Sequence, residues 1–235
     1  MSPPEINALL AASEGRWRII ILAAVLTGLR EGELLGLSWG DIDWNTRQIY
    51  VRRTYSAGRF NTPKTASSRR KVDMPSQLVT ELKRWKLECP PGERDLVFPS
   101  GAGNPENHSN LLRRGFYPAL RRAGLRKIRF HDLRHTYASL LIANGENIKR
   151  IQESLGHSSC QITLDTYSHL LPGGGGGVAE RLGALVFGSK TGAIDEVVLN
   201  ENTQPIDLPV VRWGGDTHDQ GYHHTKLFSA TDPSL

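Results

Sequence analysis

An apolar segment without helix breakers, Trp17–Thr27, places the strongest constraint on how this chain folds. It contains the longest uninterrupted run of apolar residues, Ile19–Leu26. Its length and composition predict a buried helix that stops near Gly28. The run is far shorter than the roughly 20 residues that a membrane span needs. The segment therefore indicates the interior of a globular domain, and we expect no membrane partner.

The hydrophobic period changes on either side of this segment. Ser2 and Glu5 have the spacing of a capping box and predict a helix over about residues 3–12. A shorter helix is expected over Glu31–Leu37. Period-two patterns then predict strands over Gln48–Val51 and Lys71–Met74, with a turn over Gly58–Ser68 between them. Asp41–Asp43 is expected to add an edge strand.

After Pro75 the pattern is helical again, and glycines at 124, 145 and 156 end successive segments. The expected helices lie near residues 76–88, 108–123, 131–144, 147–154 and 160–170. The chain is therefore predicted to be mainly α with one small antiparallel β-sheet, an α+β fold.

A glycine run at 173–177 divides the 235 residues into parts of opposite charge. Residues 1–172 hold 25 basic and 16 acidic side chains, whereas residues 173–235 hold 4 basic and 8 acidic ones. We expect one domain over 1–172, a glycine linker and short helix over 173–187, and a tail of unknown role over 188–235. The N-terminal sequence has no signal-peptide pattern, so a cytoplasmic location is expected.

The basic residues of the first part are clustered, as in Arg69-Arg70-Lys71 and Arg126-Lys127-Arg129. Such clusters attract a polyanion such as nucleic acid, although a solvated basic surface is an equally good explanation of the charge alone. The two cysteines, Cys89 and Cys160, cannot form a disulfide framework or a four-ligand zinc site.

Polar residues of types that act in catalysis or anion binding follow the apolar segment and recur in a later helix. Arg30 comes soon after Gly28, and Glu33, three residues on, is placed to hold its guanidinium. His131 and Arg134 share one helix face in the string FHDLRHTY and can clamp an anion. Taken singly, each is more often structural, and HDLRH lacks the pattern of a helical zinc site.

Three further residues complete the set. Lys64 falls in the predicted turn, His157 directly follows the helix stop at Gly156, and Tyr167 lies ten residues later on a helix. Their combination and order with Arg30, His131 and Arg134 resemble the active-site signature of the tyrosine recombinases, or phage integrase family. The flanking strings TGLREGELLGLSWGDID, PKTASSRRKVDMP, FHDLRHTYASLL and LGHSSCQITLDTYSHLLPGG extend the resemblance over about residues 3–175.

The resemblance implies a catalytic domain that cuts and rejoins double-stranded DNA through a 3′-phosphotyrosyl intermediate, without metal, cofactor or small-molecule substrate. Tyr167 would be the nucleophile, and Arg30 and Arg134 would bind the scissile phosphate. The resemblance gives the remaining roles as follows: His157 adds a hydrogen bond to the phosphate, His131 accepts the tyrosine proton or positions the phosphate, Lys64 protonates the leaving 5′-oxygen, and Glu33 orients Arg30. His135 matches no catalytic position and is interpreted as structural.

The resemblance also implies a tetramer on DNA and, given the flanking strings, a role in a phage or other integrative element. We expect the segment Val178–Phe187 to dock on a neighbouring protomer. The N-terminal helical domain that members use to close around DNA is expected to be absent. Two alternatives stay open: a truncated DNA-binding relic without activity, and a type IB topoisomerase-like enzyme that relaxes DNA.

Overall fold

The computed structural model describes residues 1–62, 69–168 and 178–187. The chain separates into two compact units, Met1–Ala179 and Glu180–Leu235. Ten α-helices, a 3₁₀-helix, a π-helical segment and five strands lie in the described residues. The predicted linker at 173–177 and the tail after 187 lie outside them, so the proposed division at residue 172 stays a prediction.

The first three helices confirm the predicted pattern around the apolar segment. Helix α1 (Pro3–Ala11) begins with the expected capping box, in which the Ser2 side chain accepts from the Glu5 amide. Helix α2 (Gly15–Thr27) starts two residues earlier than predicted and ends at Gly28, which is in the left-handed conformation. Helix α3 (Glu31–Leu35) is two residues shorter than expected because Gly36 already occupies the C-cap position.

The predicted small antiparallel sheet is present, and a second, two-stranded sheet accompanies it. Strands β1 (Ile42–Asp43), β2 (Gln48–Val51) and β5 (Arg70–Asp73) form a three-stranded sheet with β2 in the centre. A separate hairpin, β3 (Thr54–Ser56) with β4 (Arg59–Asn61), occupies residues that were assigned in part to the turn. Ala57 and Gly58 both have positive φ and make a tight turn there, so Gly58 closes a hairpin of its own.

The second half of the domain is helical, as predicted. It contains α4 (Ser76–Glu88), α5 (His108–Asn110), a π-helical segment (Leu111–Phe116) and α6 (Tyr117–Arg122), followed by α7 (Asp132–Ala143), α8 (Ile148–Leu155) and α9 (Cys160–Tyr167). Helix α10 (Val178–Phe187) coincides with the short helix expected there.

The core forms around α2, which is buried from Ile19 onward except at Leu26 and packs against α4 and α7. A smaller apolar cluster joins α7, α8 and α9 and includes Ala138, Ile151 and Tyr167. Helix α7 takes part in both packing arrangements, so it connects the end of α2 to the helix that carries Tyr167. This connection brings residues from distant parts of the sequence to one place.

Candidate active site

The two arginines expected to bind phosphate lie against the C-terminal ends of two helices. Arg134, in the first turn of α7, is only 3% exposed. Its Nη1 donates to the Gly28 carbonyl at 2.6 Å, and its Nη2 donates to the carbonyl of Leu155 at the end of α8. The Nη2 of Arg30 donates to the neighbouring Gly156 carbonyl at 3.4 Å. Carbonyl groups at helix C-termini lack helical partners and carry partial negative charge, so they are good acceptors for guanidinium groups.

Glu33 holds Arg30 in place, as the sequence predicted. Its carboxylate is almost fully buried, and one oxygen accepts from Arg30 Nη1 at 2.9 Å while the other accepts from the Arg30 backbone amide at 2.8 Å. Burial raises the pKa of this carboxyl, but hydrogen bonds and charge from Arg70, followed by those of Arg30, outweigh it, and the pKa lies below its usual value. Glu33 is therefore ionised at neutral pH.

Arg70 is the second partner of Glu33, and sequence reasoning missed it. Both of its terminal nitrogens bind the carboxylate, at 2.8 and 2.9 Å, and its Nε donates to the Ser154 carbonyl at 2.7 Å. The sequence placed Arg70 in a basic surface cluster. The alternation of side chains along the strand would have indicated that Arg70 points inward, because Arg70 shares a face of β5 with the buried Val72.

Two glycines allow the helix ends to approach the arginine cluster. Gly28 has φ +61°, and a Cβ there would lie 2.3 Å from the Tyr137 ring. Gly156 has φ +66°, and a Cβ there would lie 2.9 Å from the Arg70 side chain. Both positions combine a backbone conformation that favours glycine with a close neighbour, so a side chain at either would displace part of the site.

Tyr167, the expected nucleophile, is the last residue of α9 and is 4% exposed. Its hydroxyl lies 2.7 Å from Nδ1 of His135, the residue that follows Arg134 on α7. Burial raises the pKa of the phenol, while the charge of Arg134 acts in the opposite direction. The phenol is therefore protonated at neutral pH and needs a proton acceptor before it can act as a strong nucleophile.

His131 lies one residue before α7 and reaches the site through His135. The two imidazole rings meet edge to face, with centroids 5.0 Å apart. Burial, followed by the charges of His135 and Arg134, lowers the pKa of His131. Among the described residues, the hydrogen-bond partner of the Tyr167 hydroxyl is His135 and not His131.

His157 follows α8 and faces the arginines. Its Nδ1 lies 2.9 Å from the hydroxyl of the buried Thr163 on α9, and its carbonyl accepts from the Gln152 side chain. Burial, and then the charges of Arg134 and Arg30, lower the pKa of His157 to about 4. The imidazole is therefore neutral at neutral pH and can offer one N–H.

The cluster as a whole is cationic. Burial and the neighbouring guanidiniums of Arg30 and Arg70 lower the pKa of Arg134 to about 9, which leaves it charged at neutral pH. The cluster thus contains three guanidinium groups and one buried carboxylate, that of Glu33, which binds two of them, Arg30 and Arg70. An excess of positive charge at the ends of two helices makes a binding place for an anion with several oxygens.

A basic surface cleft of about 500 Å³ adjoins this cluster on the three-stranded sheet. Arg52 and Lys71 lie over the ring of Tyr50 at 5.2 and 5.0 Å, and Arg70 lines the cleft. Arg70 also binds Glu33, so the lining of the cleft and the arginine cluster share this residue. Lys64, the sixth predicted residue, lies outside the described residues.

The described part of the chain holds neither a metal-binding group of side chains nor a membrane-spanning helix. Over residues 1–62, 69–168 and 178–187, no three side chains of His, Cys, Asp or Glu are grouped so that they could hold a metal ion. In the same residues, no helix has the length and apolar character needed to cross a bilayer.

The fold is that of tyrosine recombinase catalytic domains. The structure resembles that of the Tn1549 transposon integrase in complex with a circular intermediate DNA, with a TM-score of 0.65, 21% identity and coverage of 79% of this chain and 65% of that one. It also resembles the XerA recombinase, with a TM-score of 0.60, 27% identity and coverage of 81% and 64%.

Sequence comparison leads to the same class. A "Tyrosine recombinase XerC-like" protein of Caldanaerobacter subterraneus is 35% identical and matches 73% of this chain and 50% of its own length. The ICEBs1 integrase of Bacillus subtilis is 34% identical and matches 69% and 47%. The chain thus spans about half the length of the curated relatives that it matches.

The phage integrase family matches residues 1–173, almost three quarters of the sequence. The chain belongs to this family, as the resemblance in its motifs predicted.

Proposed function

We propose that this chain is the catalytic part of a site-specific DNA recombinase or integrase of a phage or other integrative element. It cleaves one DNA strand with Tyr167, holds that strand as a 3′-phosphotyrosyl ester, and rejoins it to a new 5′ end. Substrate, chemistry and assembly are all parts of this proposal.

The observation that carries the proposal is the position of Tyr167 beside the arginine cluster. Arg30, Arg134 and Tyr167 come from three separate parts of the sequence, yet α7 and the end of α8 bring them to one site. A solvated basic surface would not require buried guanidiniums next to a buried phenol. The charge of Arg134 acts on the Tyr167 phenol, which supports a phosphodiester held by the arginines as the target of its hydroxyl.

Arg134 and Arg30 bind the two non-bridging oxygens of the scissile phosphate. Each guanidinium has five N–H groups, and the bonds to helix-end carbonyls and Glu33 leave several of them free for phosphate oxygens. Charge builds up on these oxygens as the phosphorus becomes five-coordinate, and fixed cations stabilise that charge more than they stabilise the ground state.

In the cleavage step, the Tyr167 oxygen forms a bond to phosphorus and the bond from phosphorus to the 5′-oxygen breaks. The phenol proton leaves to a base of the site, and the 5′-oxygen receives a proton from Lys64. The neutral His157 donates its N–H to the phosphate, and His131 positions the phosphate from the α7 side. The phosphotyrosyl ester preserves the bond energy, so rejoining needs no external energy source.

Double-stranded DNA is the partner that suits the basic cleft around Tyr50, Arg52 and Lys71. Basic side chains next to the site would bind phosphates that flank the scissile one. We further propose assembly into a tetramer on DNA, with helix α10 docked on a neighbouring protomer through apolar residues such as Leu182 and Leu185. Removal of residues 178–235 should then weaken assembly on DNA in sedimentation experiments and preserve DNA binding; unchanged assembly would contradict the role of α10.

The proposal is tested by covalent capture on nicked suicide duplexes. Because the DNA target is unknown, the duplexes carry a randomised sequence on both sides of the nick. The protein is incubated with this pool, and protein–DNA adducts are isolated under denaturing conditions. We expect an adduct with the wild type, none with Tyr167→Phe, and wild-type yield with the control Tyr117→Phe, which changes a tyrosine outside the site.

The other outcomes separate the competing functions. A gel shift without any adduct would overturn the catalytic proposal in favour of a DNA-binding relic. An adduct accompanied by relaxation of supercoiled DNA, without exchange between two captured sites, would instead indicate a topoisomerase.

A further inference from the structure

The hydroxyl of Tyr167 has a specific partner that the family signature does not include. His135 Nδ1 lies 2.7 Å from the hydroxyl oxygen, within the range in which a general base takes a proton. The two rings are 5.8 Å apart and inclined by 57°, so the contact is a hydrogen bond at the ring edges and not a stacking interaction.

The surroundings of His135 fix its position. It follows Arg134, and α7 is held at this point by the bonds of Arg134 to the ends of α2 and α8. The edge of His131 contacts the His135 ring from the N-terminal side of α7. His131 therefore supports the ring of His135, and it is His135 that reaches the phenol.

Proton transfer from Tyr167 to His135 requires particular protonation states of the pair. For Tyr167 to donate to Nδ1, that nitrogen must carry no proton, so the imidazole is neutral with its proton on Nε2. Burial lowers the pKa of His135, which favours the neutral form, whereas the charge of Asp132 opposes this shift. A neutral imidazole beside a protonated phenol is the arrangement that a proton transfer requires.

The charged and titratable groups around His135 come from three places. They are Arg129, His131, Asp132 and Arg134 on α7 and the loop before it, Tyr167 on α9, and His157 in the loop between α8 and α9. The pH dependence of proton transfer at His135 therefore includes the effects of all these groups.

We propose that His135, and not His131, exchanges the proton with Tyr167. This inference rests on the proposed function. In cleavage, the phenol proton moves to Nδ1 of His135 as the oxygen forms its bond to phosphorus, and His135 becomes an imidazolium. In rejoining, the 5′-hydroxyl attacks phosphorus, the bond to the Tyr167 oxygen breaks, and His135 returns the proton to that oxygen. The 5′-hydroxyl gives its own proton to the group that protonated it earlier.

The kinetic test measures the rate of adduct formation. Its substrates are suicide duplexes with the sequences that formed adducts with the wild type in the capture experiment. We expect His135→Asn to slow the reaction about 10²- to 10⁴-fold, the usual contribution of general-base catalysis. The rate of this variant should rise with hydroxide concentration, because solvent must then remove the proton. His108→Asn, which changes a histidine on α5, is the matched control and should react at the wild-type rate.

A second substitution separates proton transfer from positioning. A fluorinated tyrosine incorporated at position 167 has a more acidic hydroxyl that depends less on a base. It should restore most of the rate lost in His135→Asn, and it should not restore the rate lost in His131→Asn. Equal rescue of both variants, or rescue of His131→Asn alone, would overturn the proposal.

A third measurement does not depend on activity. Nitrogen NMR of the free protein should show His135 as the neutral form with its proton on Nε2, and Tyr167→Phe should shift this equilibrium without changing His131. A wild type that forms no adduct but shows this coupling would contradict the proposed function and support the His135–Tyr167 pair. A mixed tautomer that Tyr167→Phe leaves unchanged would refute the pair itself.

Discussion

Replacing Arg70 by methionine tests the buried charge cluster that positions Arg30. The change removes three hydrogen bonds, two to Glu33 and one to the Ser154 carbonyl, while it keeps an unbranched side chain in the same space. Of the two cations that bind Glu33 in the described part of the chain, Arg30 would remain, and its side chain is 38% exposed. Removing one partner of a buried ion pair typically costs about 3–5 kcal/mol. Because Arg30 still binds Glu33, we expect a loss near the lower limit, about 3 kcal/mol.

The assay is urea unfolding of the whole chain, with the control Arg69→Met. Arg69 is the exposed neighbour of Arg70, so its replacement should change the free energy of unfolding by less than about 0.5 kcal/mol. With a typical denaturant slope of 1–3 kcal/mol per molar urea, the Arg70→Met midpoint should fall by roughly 1 M or more. A shift as small as that of Arg69→Met would refute the reasoning.

The pH dependence gives the same prediction an internal check. The pKa of Glu33 in the folded chain lies below its unfolded value, so its contribution to stability is complete above the unfolded pKa and is lost as the pH falls through the folded one. Without Arg70, the pKa of Glu33 should rise. The stability difference between the wild type and Arg70→Met should therefore be largest at neutral pH and become smaller in acid.

Three further substitutions probe other contacts of the site. Gly28→Ala should lower the thermal unfolding temperature more than Gly124→Ala does. Both glycines have positive φ, but only a Cβ at position 28 would overlap the Tyr137 ring. The pKa of His157 falls to about 4 on folding, so the unfolded chain binds more protons between about pH 6.5 and 4. Stability should therefore decrease as the pH falls through this range, by at most about 3.4 kcal/mol and by less with solvent screening. His157→Asn should remove this part of the acid dependence in urea titrations at several pH values. Arg134→Lys keeps the charge but cannot reach both helix-end carbonyls, and an unsatisfied buried carbonyl should cost about 1–3 kcal/mol in the same assay; a loss below 0.5 kcal/mol would show that the carbonyl contacts are dispensable.

Helix positions were predictable from the sequence because their signals are local. The capping box at Ser2, the apolar run before Gly28 and the glycine at 156 each act within one or two turns of a helix. The hairpin β3–β4 was not predicted because its turn, Ala57-Gly58, places a non-glycine residue at positive φ. Tertiary contacts support that turn, and the sequence pattern does not contain them.

The sequence identified several residues of the site but not the contacts between them. Arg30, Glu33 and Tyr167 stood out because their flanking strings resemble the family signature. The partners Arg70 and His135 belong to a basic cluster and a helix face in which several residues have similar chemistry. Only packing distinguishes among these residues, because it determines which member of the cluster is turned inward.

The way the arginines are held explains why the site and the fold depend on each other. Arg134 binds the ends of α2 and α8, and Arg70 binds α8 through the Ser154 carbonyl while it fixes Glu33. The helix ends need donors, and the arginines need acceptors that keep them charged and oriented in a buried place. Each group therefore satisfies the other, and part of each guanidinium remains available for a phosphate. A substitution that releases a helix end should also move a phosphate-binding group, so stability and DNA cleavage should decline together in variants of this cluster.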